Sequence, residues 1–335
     1  MKNKIMFVMI LLLATATVAF GSTFVYVKLN EKVNSASNVG GSAATDEDAG
    51  ENDEFLVVTS CNPMYMATLN VCDGIENVRV VNLSQPTTGC LHDYTLTTGD
   101  MKTLAMADVF VINGAGMEGF LSDVMEAYPD LYVVTASEGL TLLEAEDDHD
   151  HEGHEDHDHE GHNHGDEGNS HCWMSSELFA GEVANIAEGL ALVDSANHEK
   201  YVSNAKNYGQ KLEAELSEYK STMALSSANK YVMLFHEAFE YVAQDMWRET
   251  VGLMDLDEER QVSAGELQEV VEVVADNGNC TIFAEKEYGS QMAELVQDET
   301  GCKVVYLNPM IRGNYDKDSY IEIMKENYQK IVDSL

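Results

Sequence analysis

From Phe55 onward, short apolar runs alternate with segments whose apolar residues recur at helical spacing. The pattern predicts strands over 55–60, 78–81, 109–113 and 131–135, with helices over 64–71 and 98–106 between them. Thr98 or Gly99, ahead of Asp100, is the expected start of the second helix. The far half repeats the alternation. It predicts strands over 230–235, 280–284 and 303–307, and helices over 237–245, 264–277, 291–300 and 319–332. Between the halves, 196–224 contains no proline and only Gly209, and its apolar positions follow one face. That stretch predicts a single helix roughly 43 Å long at ~1.5 Å per residue. Strands alternating with helices imply parallel βαβ units with both sheet faces covered. The expected fold class is therefore α/β: two Rossmann-like lobes joined by a long helix, with the site in the cleft between them.

The N-terminal end departs from this pattern. Lys2 and Lys4 precede an apolar run from Ile5 to Val27, long enough to cross a bilayer core of roughly 30 Å. The positive-inside rule then keeps the lysines in the cytoplasm and places the rest of the chain outside. A cleavable signal peptide is the competing reading, because Ala19-Phe20-Gly21 offers small residues at a cut site. No cysteine near the end of the run could carry a lipid. Residues 29–54 are polar and acidic, as in a solvated linker. The expected organisation is anchor or signal peptide over 1–28, linker over 29–54, first lobe over 55–195, connecting helix over 196–225 and second lobe over 226–335.

The chain carries 59 acidic and 19 basic residues, a net charge of −40. Such a surface repels phosphate backbones and excludes nucleic acid as a partner, whereas cations are attracted. Six cysteines, in an exported chain, could form disulfides. None is in a CxxC pair, which argues against a zinc knuckle. Cys280 and Cys302 flank the starts of neighbouring strands one βαβ unit apart, and a bridge between them is the expected pairing.

Open α/β lobes bind ligands outside the carboxyl ends of their strands. His236 follows the strand over 230–235 directly, His92 lies in the loop after 78–81, and His171 stands before a further helix. Three neutral imidazoles with one further position suit a four-coordinate zinc ion. Cys90 and Cys172 lie beside two of these histidines and would be strong zinc ligands as thiolates. A disulfide near the cleft, or simple burial, is the reading favoured for both.

Four stretches carry a family resemblance: HDYTLTTGDMKTLAMADVFVINGAGMEGFL (92–121), HCW (171–173), LFHEAFEYVA (234–243) and IFAEKEYGSQMAELVQDETGCKVVYLNPM (282–310). From Phe55 to the C-terminus the chain resembles the metal-binding receptors of ATP-driven zinc and manganese importers. The resemblance implies two α/β lobes around a long helix, and His92, His171 and His236 as the first three ligands. It also implies an ABC permease and an ATPase on separate chains, with Zn2+ as the transported ligand and the receptor itself a monomer and no enzyme. Zinc receptors of the family carry His at position 236 where manganese receptors carry a carboxylate, so His236 favours zinc. The family often supplies Asp at position 308 or Glu at position 311; Asn308 and Ile311 stand there instead. Asn308, a water or Glu285 is then left to fill the fourth place.

Residues 144–167 hold seven histidines (His149, His151, His154, His157, His159, His162, His164), twelve acids and no base. Histidines and carboxylates this dense could hold several zinc ions loosely and pass them towards His171, with affinity rising above pH ~6.5. Three alternatives stand beside the zinc receptor: a manganese receptor, a surface adhesin or metal buffer of the same fold, and a zinc hydrolase with Glu237 as base. The hydrolase lacks an HExxH motif. The expected location is the outer face of the cell membrane, or the periplasm or exterior if the signal is cleaved.

Overall fold

The computed structural model describes residues 54–92, 94–144, 168–226, 228, 230–256, 261–278 and 280–335. The N-terminal apolar run, nearly all of the acidic linker and the seven clustered histidines lie outside these residues. Among the described residues, no helix is long and apolar enough to cross a membrane.

The first sheet is built from β1 (Phe55–Thr59), β2 (Val78–Asn82), β3 (Val109–Ile112) and β4 (Tyr132–Thr135), in the order β2-β1-β3-β4. All its pairings are parallel. The second sheet repeats the plan with β5 (Tyr231–Leu234), β6 (Glu249–Leu253), β7 (Thr281–Ala284) and β8 (Lys303–Tyr306), in the order β6-β5-β7-β8. Its pairings are parallel as well. The inner strands β3 and β7 are buried along their whole length, and their mostly apolar sequences reflect cover on both faces. Sequence pattern finds every strand except β6, a half-buried edge strand with Gly252 inside it and an irregular register against β5.

In each sheet the strand order reverses between two central strands, β1 and β3 in one, β5 and β7 in the other. This switch point leaves a crevice at the carboxyl ends of those strands. The residues following β5 and β7 include His236 and Glu285, which therefore face each other. Ser60 and Asn113 occupy the same places in the first sheet.

The helices of the first half are α1 (Asn62–Val71), α2 (Thr98–Leu104), α3 (Leu121–Ala127) and α4 (Ser176–Val193). The long helix α5 spans His198–Leu225, close to the expected 196–224, and buries Tyr201, Ala205, Tyr208, Leu212, Leu216 and Met223 along one stripe. α6 (Phe239–Asp245), α7 (Ala264–Asp276), α8 (Ser290–Thr300) and α9 (Ser319–Asp333) complete the second half. Thr97 caps α2, one residue before the expected start, through a reciprocal capping box with Asp100.

The two halves share one apolar core that includes β1, β3, α4, α5, α6 and α9. Hydrogen bonds cross between them. Trp173 Nε1 donates to the Pro309 carbonyl (3.0 Å), Asn62 Nδ2 to the Ile311 carbonyl (2.6 Å) and Tyr320 OH to the Trp173 carbonyl (2.7 Å).

No disulfide links the six cysteines. The bridge expected between Cys280 and Cys302 is not formed, although the register Thr281↔Lys303 does bring the two residues to neighbouring strand starts. Cys280 instead lies buried, with its Sγ 3.8 Å from the Thr281 carbonyl oxygen.

Candidate metal centre

His171 sits immediately before a short 3-10 turn, Cys172–Met174, that leads into α4. The turn is held from two sides. Asn113, at the end of β3, donates through Nδ2 to the Ser170 carbonyl (2.9 Å). Asn169 Oδ1 accepts from the His171 amide (3.0 Å), while Asn169 Nδ2 donates to the Glu237 carbonyl (3.1 Å). Asn169 thus ties the turn to the segment carrying His236, a role that sequence pattern gave no means of finding. His171 and His236 are both completely buried.

Each of these two imidazoles has its Nδ1 turned to a carboxylate. His171 Nδ1 lies 3.0 Å from Glu237 Oε1, and His236 Nδ1 lies 3.5 Å from Glu285 Oε2. At His171 the contact is at hydrogen-bond distance, and because a carboxylate only accepts, it holds the ring hydrogen on Nδ1 and leaves the Nε2 lone pair for a metal; the His236–Glu285 approach is a longer charge contact. Both Nε2 atoms point to a common neighbour: Cys90 Sγ lies 3.4 Å from His171 Nε2 and 3.8 Å from His236 Nε2. The two rings stand 5.2 Å apart, nearly perpendicular.

Burial alone would raise the Glu237 carboxyl. The hydrogen bond from His171, and the charges of His171, His92 and His236 when those rings are protonated, outweigh it and bring the group down to about 2. Glu237 was expected only as a possible base. It instead serves His171, not its sequence neighbour His236.

His92 comes from the loop after β2, and Tyr94 fixes that loop by donating to Asp100 Oδ2 (2.9 Å) in the capped start of α2. The His92 carbonyl rests against Gly119, where an added Cβ would stand only 2.3 Å from the oxygen. The His92 ring is 5.7 Å from that of His171, and its Nε2 lies 3.4 Å from Ser170 Oγ. Two groups of potential ligand atoms therefore converge among the described residues: Cys90, His171 and His236, all buried, and His92, His171 and Glu237 at the more open edge. His171 belongs to both.

The two residues expected to compete for the fourth place are engaged in other contacts. Asn308 Oδ1 accepts from the Met310 amide (2.8 Å), capping its own loop. Glu285 is engaged behind His236, where Arg312 Nη1 approaches its other oxygen at 3.3 Å. Cys172, paired in expectation with burial or a disulfide, is buried and donates to Glu182 Oε1 at 3.0 Å.

The family model for zinc-uptake complex component A, periplasmic, matches residues 57–334. The chain belongs to this family. Among its relatives, the high-affinity zinc uptake system protein ZnuA of Bacillus subtilis is 30% identical over 302 residues, covering 88% of this chain and 92% of that one. The manganese-binding lipoprotein MntA of Halalkalibacterium halodurans is 24% identical over 302 residues, covering 88% and 93%. Among solved structures, the solute-binding protein FpvC of Pseudomonas aeruginosa in complex with Ni2+ superposes with a TM-score of 0.71 at 22% identity, covering 84% of this chain and 96% of that one. The two-lobed fold expected from sequence is thus that of a metal-binding solute-binding protein, and the family is one of metal-uptake components rather than enzymes.

Proposed function

We propose that the protein is a zinc receptor working outside the cytoplasmic membrane. It captures Zn2+ with His92, His171 and His236 and delivers it to an ABC permease driven by a separate ATPase. The observation that carries this reading is the pair of buried imidazoles whose Nε2 atoms converge on one neighbour, the ring of His171 being held through Nδ1 by Glu237. A neutral ring fixed in this tautomer is ready to bind a metal without reorganisation. His92 stands at the half-buried edge, where it can close over an ion already held by the other two.

Zinc is favoured over manganese by donor type. Imidazole nitrogen suits zinc, whereas manganese prefers oxygen ligands. The reading as a manganese receptor rests on the relative named for that metal. A hydrolase is disfavoured because Glu237 is engaged with the Nδ1 of His171. The lobes, divided at the connecting helix, act as one monomeric receptor tethered by the N-terminal segment, and the histidine-rich segment 144–167 gathers ions for the centre.

Zinc uptake tests this directly. In cells lacking the chain and grown with zinc chelated, the wild-type protein restores zinc accumulation and His236→Ala does not. Equal restoration by both would refute the reading, and restoration of manganese accumulation alone would replace zinc by manganese.

A further inference from the structure

We infer that Cys90 is the fourth metal ligand, binding as a thiolate beside His92, His171 and His236. The inference rests on the cluster being a metal centre and adds the identity of its remaining donor. Bond lengths of ~2.3 Å to sulfur and ~2.0–2.1 Å to nitrogen, at a tetrahedral angle, separate S and N ligand atoms by ~3.6 Å. Cys90 Sγ stands 3.4 Å and 3.8 Å from the two Nε2 atoms, on either side of that value. The donors already occupy a tetrahedral edge length before any ion arrives.

The competing donor at the same histidine is Glu237, but it lies on the Nδ1 side of the His171 ring. An ion held by Nε2 is out of its reach, and an ion held by Nδ1 is out of reach of Cys90. The Nε2 side also gathers His236, so the buried group of three defines the centre and Glu237 orients it. Cys90 is itself buried, and its neighbour Leu91 is anchored in the core, which fixes the sulfur from behind.

On binding, the thiol proton leaves to solvent and a sulfur–metal bond forms. The thiolate brings one negative charge to a centre of neutral imidazoles, halving the net charge of a divalent ion. Sulfur also sharpens the choice of metal, because thiolate favours zinc strongly over manganese. Cys90 is thereby both a ligand and a selectivity residue.

Cobalt reports sulfur ligation directly. One equivalent of Co2+ added to the metal-free full chain is expected to give the visible bands of tetrahedral cobalt together with a near-ultraviolet thiolate-to-cobalt charge-transfer band. Cys90→Ser keeps the former and loses the latter, and its zinc affinity falls by more than the ~10–100-fold that loss of an orienting partner costs. X-ray absorption on the wild-type chain with one equivalent of zinc gives a sulfur shell at ~2.3 Å, without relying on any variant. Tetrahedral bands with no charge transfer, or zinc surrounded by nitrogen and oxygen only, overturn the thiolate and leave the three-histidine reading standing. A charge-transfer band that persists in Cys90→Ser also overturns it. Failure of the wild-type chain to bind either metal overturns both readings.

Discussion

Glu182 lies fully buried on α4, with Cys172 Sγ–H donating to one of its oxygens. Burial raises its carboxyl to about 8 from an ordinary 4.5, the thiol hydrogen bond offsets part of this, and the nearby Glu118 raises it further. The folded chain therefore keeps this proton to higher pH than the unfolded chain does. Between about 4.5 and 8 the unfolded state has released the proton and the folded state has not. Stability then falls as pH rises through that window, by ~1.4 kcal/mol for each pH unit crossed. Glu182→Gln is expected to flatten the decline, read as denaturation midpoints measured at intervals from pH 5 to 8; parallel slopes for the two proteins would contradict the buried acid. At this scale the sequence told residue types and flanking motifs, which sufficed to single out His92, His171 and His236. It could not tell that Cys90 faces His171 and His236, because those contacts span separations of 81 and 146 residues. Nor could it tell that Glu237 turns from its neighbour to His171.

Helices and strands position the centre through a few close approaches. The loop carrying His92 is braced at one end by Tyr94 on the capped start of α2, and in the middle by Gly119 just ahead of α3. A methyl group at position 119 would meet the His92 carbonyl oxygen at 2.3 Å, and backbone does not give way as a flexible side chain does. Gly119→Ala is expected to cost ~1–3 kcal/mol, as overpacking does, and to weaken zinc binding by displacing His92. Paired denaturation and calorimetric titration measure both effects, and an unchanged zinc affinity would show that the loop does not set the position of His92. The central strands were legible because their mostly apolar runs fit strands with both faces covered. β6 was not, since an edge strand with few buried side chains and an internal glycine leaves little pattern. Thr97 was missed as the cap because Thr98 beside it has the same chemistry, and only the reciprocal bond with Asp100 distinguishes them.

Across the whole molecule, alternating strands and helices made the two-sheet plan legible, and one long apolar stripe made α5 legible. How the halves meet was not, because it depends on single contacts such as Trp173 to Pro309 and Asn62 to Ile311. These bonds and the shared core favour small adjustments around the ion over a wide hinge. The charge of −40 draws cations towards the surface, but it selects none. On the proposed reading, metal capture turns on a single centre built on His171 and His236. The Asn169 amide donates to the Leu143 carbonyl at 2.8 Å, so the two ends of the histidine-rich segment already meet, and Glu144 can be joined directly to Gly168. Zinc titration of that shortened chain by calorimetry is the most direct measurement. One tight site per chain is expected, weakened about a hundredfold or more by His171→Ala and by His236→Ala, beyond the ~10–100-fold that an orienting partner contributes. A single tight site that survives either substitution unchanged would contradict the assignment of these two histidines.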